Sequence, residues 1–255
     1  MKIMVLIKQV PDTWGSRDLD PSTGWLDRTS GDQVLDEINE RALEAAISAA
    51  EGIGDSEVIA VIMGPDNVKE SIKKALAMGC TSAIHILDDS LVGADAALTS
   101  KALAAAIDRE KPDLVVAGNE STDGRGGLVP AMIAERLAMP HLGSLNDVTV
   151  SNTSVFGERR SEKVTQRVEA ALPAVISVNE SNPDGRFPSF KGIMAAKKKP
   201  VTVLSLKDLS IESGNPLSSV KATTRRPPRE QGTIVPDSDT AVPQLLDFLS
   251  SNRLI

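Results

Sequence analysis

Ten residues near the middle of the chain hold its clearest chemistry. Gly118-Asn119-Glu120-Ser121-Thr122-Asp123-Gly124-Arg125-Gly126-Gly127 follows the apolar run 113–117 and leads into a helical stretch over 128–138. Glycine at 124, 126 and 127 removes the Cβ atoms that would hold a ligand away from backbone N–H groups. A helix start adds free N–H groups and the positive end of the helix dipole, which together favour an anion such as a phosphate. Arg125 adds a positive charge. The turn lacks the Gly-Lys-Ser/Thr of a phosphate-binding P-loop, and it is not Gly-x-Gly-x-x-Gly after a first strand. The residues alone leave two readings open: a phosphate cradle, or a tight strand-to-helix connection with no ligand.

Other reactive side chains are sparse. Cys80 is the single cysteine, so no intrachain disulfide forms, and its place after a helix end disfavours a thiolate. His85 lies in an apolar strand and His141 follows Pro140, without the carboxylate or cysteine spacing of a metal or catalytic site. The lysines at 197–199 read as a solvated face. No nucleophile–base pair stands out, so no catalytic residue is assigned, and a binding or carrier role is expected rather than an enzyme.

The elements around the turn follow an alternating pattern. Residues 2–8 and 57–63 are short apolar runs that suit buried strands, and 83–87 and 113–117 repeat the pattern. Between them lie helical stretches: 36–51, with Ile38, Ala42, Ala45, Ala46 and Ala49 on one face; one capped by Asp66 and ended by Gly79; and the alanine-rich 95–109. This alternation predicts an α/β fold, a mostly parallel, Rossmann-like sheet flanked by helices. Ligands in such sheets bind beyond the carboxyl ends of the strands. The segment after residue 8, Met63-Gly64-Pro65 and the 118–127 turn all meet that condition.

Residues 9–33 read as a long loop. After Pro140 the short runs 148–150, 155–157, 164–170 and 174–178 are expected to complete or extend the sheet. Residues 1–206 are expected to form the nucleotide-binding domain, and 207–255 an arm that wraps a second subunit. The arm is rich in Ser, Thr, Pro and charge, and ends in a short helix over 244–253 presenting Leu245, Leu246, Phe248 and Leu249.

Bulk composition narrows the class. The chain has 255 residues, a net charge of −7 and no tyrosine, which argues against a nucleic-acid partner or a base-stacking platform. No apolar run is long enough for membrane insertion, and 3–7 is too short for a signal-peptide core. The expected location is cytoplasmic.

Several segments together resemble the beta subunit of electron-transfer flavoproteins, bacterial members above all. They are Val5-Leu6-Ile7-Lys8-Gln9-Val10-Pro11-Asp12, DEINERALEAA from Asp36, KALAMG from Lys74, the 118–127 turn with its helix, Leu172-Pro173-Ala174-Val175, and RFPSFKGIMAAKKK from Arg186. The match runs from residue 1 to about 206. It implies a heterodimer whose alpha subunit holds most of a redox FAD, with a structural AMP in beta. Electrons pass from dehydrogenases, such as acyl-CoA dehydrogenases of fatty acid oxidation, to a quinone oxidoreductase or similar acceptor. Electron-bifurcating relatives place a second FAD in the AMP region.

By the same resemblance the nucleotide is held by Leu6, by Asp36, Glu37, Ile38 and Asn39, by Met63, and by Asp123, Gly124, Arg125, Gly126, Gly127, Leu128, Val129, Pro130, Ala131, Met132, Ile133 and Ala134. A recognition loop over about 183–196 presents Phe190 as anchor for the dehydrogenase, with Ile193 and Met194 beside it. Two departures stand out. Many members carry Thr-Gly-Gln where this chain has Gly126-Gly127-Leu128, so backbone amides must do more. The family's acidic Asp-Gly-Gly hairpin is replaced by Arg160-Ser161-Glu162-Lys163. Two other readings compete with it. One is a regulatory nucleotide-binding domain like the universal stress proteins. The other, an ATP-pyrophosphatase-type enzyme, lacks its Ser-Gly-Gly-x-Asp-Ser loop, since Gln9-Val10-Pro11-Asp12 stands there.

Overall fold

The first strand, β1 (Lys2–Ile7), is buried on both faces. Ile3, Val5 and Ile7 enter one apolar cluster, while Met4 and Leu6 enter another. A strand enclosed in this way shows a continuous apolar run rather than alternation. The computed structural model describes every residue except 30, 213, 215, 230, 237 and 238.

The elements that follow are β2 (Gln9–Pro11), β3 (Gln33–Leu35), α1 (Glu37–Ile53), β4 (Glu57–Met63), α2 (Lys69–Met78), β5 (Ser82–Ile86), α3 (Ala96–Glu110), β6 (Leu114–Gly118) and α4 (Val129–Leu137). Then come β7 (His141–Leu145), β8 (Asp147–Val150), β9 (Ser154–Arg160), β10 (Thr165–Ala171), β11 (Ala174–Val178), α5 (Phe190–Ala196), β12 (Val201–Leu204) and α6 (Ala241–Ser251). Seven strands form one sheet in the order β12-β5-β4-β1-β6-β11-β7. All of its pairings are parallel. Helices α1 and α2 pack into the cluster on one face, and α3 and α4 into the cluster on the other. The expected α/β architecture is therefore present.

The chain steps outward from β1 through β4 to β5, then returns to the other side of β1 as β6. That reversal opens a crevice beyond the carboxyl ends of β1 and β6, where open parallel sheets hold their ligands.

After Pro140 the structure departs from expectation. Of the four short runs, only β11 joins the main sheet; β8, β9 and β10 form a separate antiparallel sheet. Strands β9 and β10 each bury a single residue, Val155 and Ala170. A ribbon with so much wet surface suits an antiparallel sheet and not the interior of a doubly covered parallel one. Two strands of the main sheet, β7 and β12, were not expected. Both are edge strands, and β7 contains Gly143 and a left-handed Ser144 (φ 54°), a composition foreign to buried strands. Residues 9–33 are mostly loop, but β2 and β3 pair in antiparallel fashion near its two ends.

The chain divides into the units Met1–Lys221 and Ala222–Ile255. In the first, Leu206, Leu209 and Ile211 still belong to the cluster on the α3 side. The second contains α6, which buries none of its residues and exposes Val242, Leu245, Leu246 and Phe248. Among the described residues no helix is long and apolar enough to cross a membrane.

Candidate nucleotide-binding site

Asp36 joins two elements at the crevice. It lies just after β3, is fully buried, and caps α1: its Oδ1 accepts from the N–H groups of Ile38 (3.0 Å) and Asn39 (3.3 Å). Its Oδ2 accepts from the N–H and the hydroxyl of Thr122, both at 2.7 Å. One carboxylate thus closes the start of α1 and ties the 118–127 turn to it. The approach is close enough to require glycine at the end of β6, since a Cβ on Gly118 would stand 2.5 Å from Asn39 Nδ2.

Asp123 organises the next layer. Its side chain is 1 % exposed and accepts from Lys8 Nζ and Arg28 Nη2, each at 2.7 Å. Burial alone would raise its carboxyl pKa. The Lys8 charge, with hydrogen bonds from Lys8, Ser121 and Arg28, outweighs that and holds the group well below the usual carboxylate range. Arg17 reaches the Thr122 carbonyl and hydroxyl and the Pro11 carbonyl, which pins the 12–17 segment against the turn. In this network Lys8, Arg17 and Arg28 face Asp36 and Asp123, and at the surface of the turn Arg125 stands with Glu120.

Beyond Asp123 the backbone changes character. The N–H of Gly124 is held by Asp123 and that of Arg125 by the Ser121 carbonyl. The N–H groups of Gly126, Gly127, Leu128 and Val129 have no protein acceptor among the described residues. Leu128 occupies the cap position of α4 with no side-chain cap, and Pro130 has no N–H to satisfy. Arg125 (φ 48°) and Gly127 (φ 63°) are both left-handed. Left-handed residues in a turn help aim successive N–H groups into one concavity that favours anions. A Cβ on Gly126 would meet nothing within 4 Å, so the approach is open. The helix start, the open backbone and the nearby cations fit a phosphate group.

The other expected site residues have varied surroundings. Leu6 is buried near the end of β1, and Met63, partly buried, ends the neighbouring strand β4. Ile38 and Asn39 are buried in the first turn of α1, while Glu37 is exposed and accepts from the Thr13 hydroxyl at 2.9 Å. Pro130, Ile133 and Ala134 are buried in α4, Met132 is half-buried and Ala131 exposed. Ile133 and Ala134 point into the core cluster, so what they offer a ligand is the placement of their helix. Sequence reasoning gave no site role to Lys8, Arg17, Arg28 or Thr122. Lys8 carried a signal, a cation directly after a buried strand; the two arginines sit in a polar loop that carried none.

Other groups turn out to be structural. His85 Nε2 pairs with the Gly64 carbonyl at 2.8 Å and so supports the loop after β4. Cys80 is buried, and burial pushes its thiol up to about 12. Burial, with Arg159 nearby, lowers the His141 pKa. The 197–199 run is not wholly a solvated face, because Lys199 Nζ donates to the Leu76 carbonyl at 2.7 Å at the end of α2. A separate polar cavity of about 310 Å³ lies beside Asn119, Ser144, Arg160 and Asn179.

Helix α5 begins at Phe190 and is capped by Ser189, whose Oγ accepts from the Gly192 N–H at 3.0 Å. Phe190 is 81 % exposed, and Phe187, Ile193 and Met194 are exposed with it. None of the seven residues of α5 is buried.

Comparison with known proteins agrees with this architecture. Residues 23–209 match the family described as Electron transfer flavoprotein domain. The chain is 47 % identical to the electron transfer flavoprotein subunit beta of Mycobacterium bovis over an alignment of 264 positions covering 99 % of both chains. It is 32 % identical to the subunit of the same name from Thermoanaerobacterium thermosaccharolyticum, with all of both chains covered. It is also 34 % identical to the caffeyl-CoA reductase-Etf complex subunit CarD of Acetobacterium woodii, covering 83 % of this chain and 80 % of that one. The chain belongs to the electron transfer flavoprotein family. Within that family, the full-length similarity is to beta subunits.

Proposed function

We propose that this chain is the beta half of a heterodimeric, cytoplasmic electron-transfer flavoprotein and holds one AMP in the crevice beyond β1 and β6. The observation that carries the reading is the bare approach to α4: four consecutive N–H groups, at 126–129, with no protein acceptor among the described residues. Gly126, Gly127, Leu128 and Val129 would hold the phosphate, and Leu6, Ile38 and Met63 would flank the base. The flavin, held mainly by the alpha subunit, supplies the redox chemistry, and this chain completes its site. The chain's own part is to bind, orient and dock, as a carrier without catalytic residues. The arm of 207–255 docks on alpha. Phe190, with Ile193 and Met194, enters an apolar pocket on a donor such as an acyl-CoA dehydrogenase; a quinone oxidoreductase or similar acceptor takes the electrons onward.

Similarity to a subunit of a caffeyl-CoA reductase-Etf complex gives the bifurcating alternative, a second FAD in place of AMP, a specific basis. Mass spectrometry of nucleotides released from the complex co-purified with its alpha chain separates the readings. One AMP and one FAD per heterodimer is the expected result. Two FAD and no AMP moves the protein to the bifurcating class, and a colourless complex without nucleotide overturns both.

A further inference from the structure

We propose that Arg186 is a positioning residue for partner docking, clamping the segment ahead of α5 to α1 so that Phe190, Ile193 and Met194 are presented in a fixed arrangement. The inference rests on the docking role given to Phe190 above and deepens it.

The clamp is built from a single guanidinium. Nε and Nη2 of Arg186 donate to the two oxygens of Glu44, each at 2.8 Å. Nη1 and Nη2 donate to the two oxygens of Glu51 at 2.6 and 3.0 Å. Nη2 also reaches the Ser48 hydroxyl at 3.3 Å, and the backbone N–H of Arg186 donates to Glu44 at 3.0 Å. Paired fork-shaped contacts of this kind fix direction as well as distance. Arg41 makes an ion pair with Asp184 at 2.5 Å and also donates to the Asn182 carbonyl. Residues 41, 44, 48 and 51 are spaced by three or four, so they form one polar stripe along α1. Segment 182–186 is lashed to that stripe.

The far side of the segment is held differently. Gly192 lies so close to the Ala77 carbonyl that any Cβ would collide with it, which seats α5 on the end of α2. Lys199 then closes onto Leu76. Helix α5 has seven residues, too few to be stable alone, and buries none of them. Its geometry is therefore set by polar attachments at its two flanks, by the glycine contact and by Ala196, which packs against the core cluster. A surface already ordered loses less freedom on association than one that must order on contact. Loss of the clamp should thus weaken docking and leave the electron-transfer step intact.

The test uses the complete alpha–beta complex and an acyl-CoA dehydrogenase of the same organism, reduced by its own acyl-CoA. Arg186→Gln is expected to raise KM for that dehydrogenase about tenfold with kcat within about twofold. Glu44→Gln combined with Glu51→Gln should reproduce the effect from the α1 side, which a direct Arg186–partner contact would not. Amide hydrogen exchange should accelerate at least about tenfold across 190–196 in both variants and stay unchanged across 118–137. Unchanged exchange at 190–196 overturns the clamp whatever the kinetics show. If Phe190→Ala raises KM while the Glu44/Glu51 variant leaves it unchanged, the clamp fails and the docking role stands. If Phe190→Ala changes nothing, the docking role itself fails. Should Arg186→Gln not fold, the Glu44/Glu51 variant carries the same decision.

Discussion

Two helices begin at the same crevice in opposite ways. The start of α1 is capped by an anion of the chain's own: Asp36 accepts from two of its N–H groups and uses its other oxygen to hold Thr122. The start of α4 is bare among the described residues, with a leucine at the cap, a proline in its first turn and left-handed residues at 125 and 127 just ahead of it. Both helices carry the same dipole, so the dipole alone does not make a ligand site. The difference lies in whether the protein has already supplied the anion. At α1 it has, and the helix start serves the fold. At α4 it has not, and under the proposed function that helix start is where a phosphate would supply it.

Substitutions can break this contrast. Asp36→Ala removes the anion from α1 and leaves N–H groups of Ile38, Asn39 and Thr122 unpaired in the interior. A loss of about 3 kcal/mol or more is expected by urea denaturation, since each buried donor without a partner costs about 1–3 kcal/mol. A loss below about 1 kcal/mol, no more than an ordinary surface cap, would mean that the α1 start does not depend on this residue.

Asp123→Asn should act more mildly. Lys8 and Arg28 lose their shared partner, but both are about two-fifths exposed and can be hydrated. The expected loss is about 1–2 kcal/mol at neutral pH. The pH dependence has a definite sign. Because the folded carboxyl is held below its unfolded value, its stabilisation is complete above the ordinary carboxylate pKa and disappears as pH falls through the depressed folded value. Wild type and variant should therefore differ by a constant amount between about pH 5 and 8 and converge in acid below about pH 4. Parallel stability curves down to pH 2 would rule out Asp123 as the charged centre of the network.

Gly127→Ala is the smallest change and the sharpest test of the bare end. A left-handed alanine costs about 1 kcal/mol, and the shifted backbone would misdirect the open N–H groups. Native mass spectrometry of the complex should show AMP occupancy falling several-fold beyond what the stability loss explains. Full occupancy would make the start of α4 a connection and nothing more.

Much of this arrangement could be read along the chain. The run KIMVLI announces a strand enclosed on both faces, and three glycines before a helical pattern announce an open backbone. Asp36 at the head of α1 is visible as a helix start. Its second task is not, because Thr122 lies 86 positions away and no local pattern connects them. The same limit applies to Asp123. Its place beside glycines suggests ligand contact, yet its carboxylate faces Lys8 and Arg28, which only the folded chain brings near. Strand β12 escaped notice because four residues at a sheet edge, after three lysines and a proline, carry too little pattern. Phe190 is legible through the resemblance of the segment from Arg186 to the family's recognition loop. The clamp that aims it is not, since Glu44, Ser48 and Glu51 look like an ordinary wet helix face.

The path from β11 to β12 has a further consequence. The two strands lie five inter-strand steps apart in the sheet, roughly 24 Å at about 4.8 Å per step. Residues 179–200 make that crossing, and fully extended they would reach roughly 70 Å. The belt is far longer than the span, and α5 is made from its slack. Under the proposed docking role, the surface offered to other proteins is thus written on spare chain, anchored at both ends and resting on the packed interior through Ala196. Substitutions at Phe190, Ile193 or Met194, which redirect what this helix meets, would then spare the buried core, leaving partner choice free to drift while the fold stays as it is.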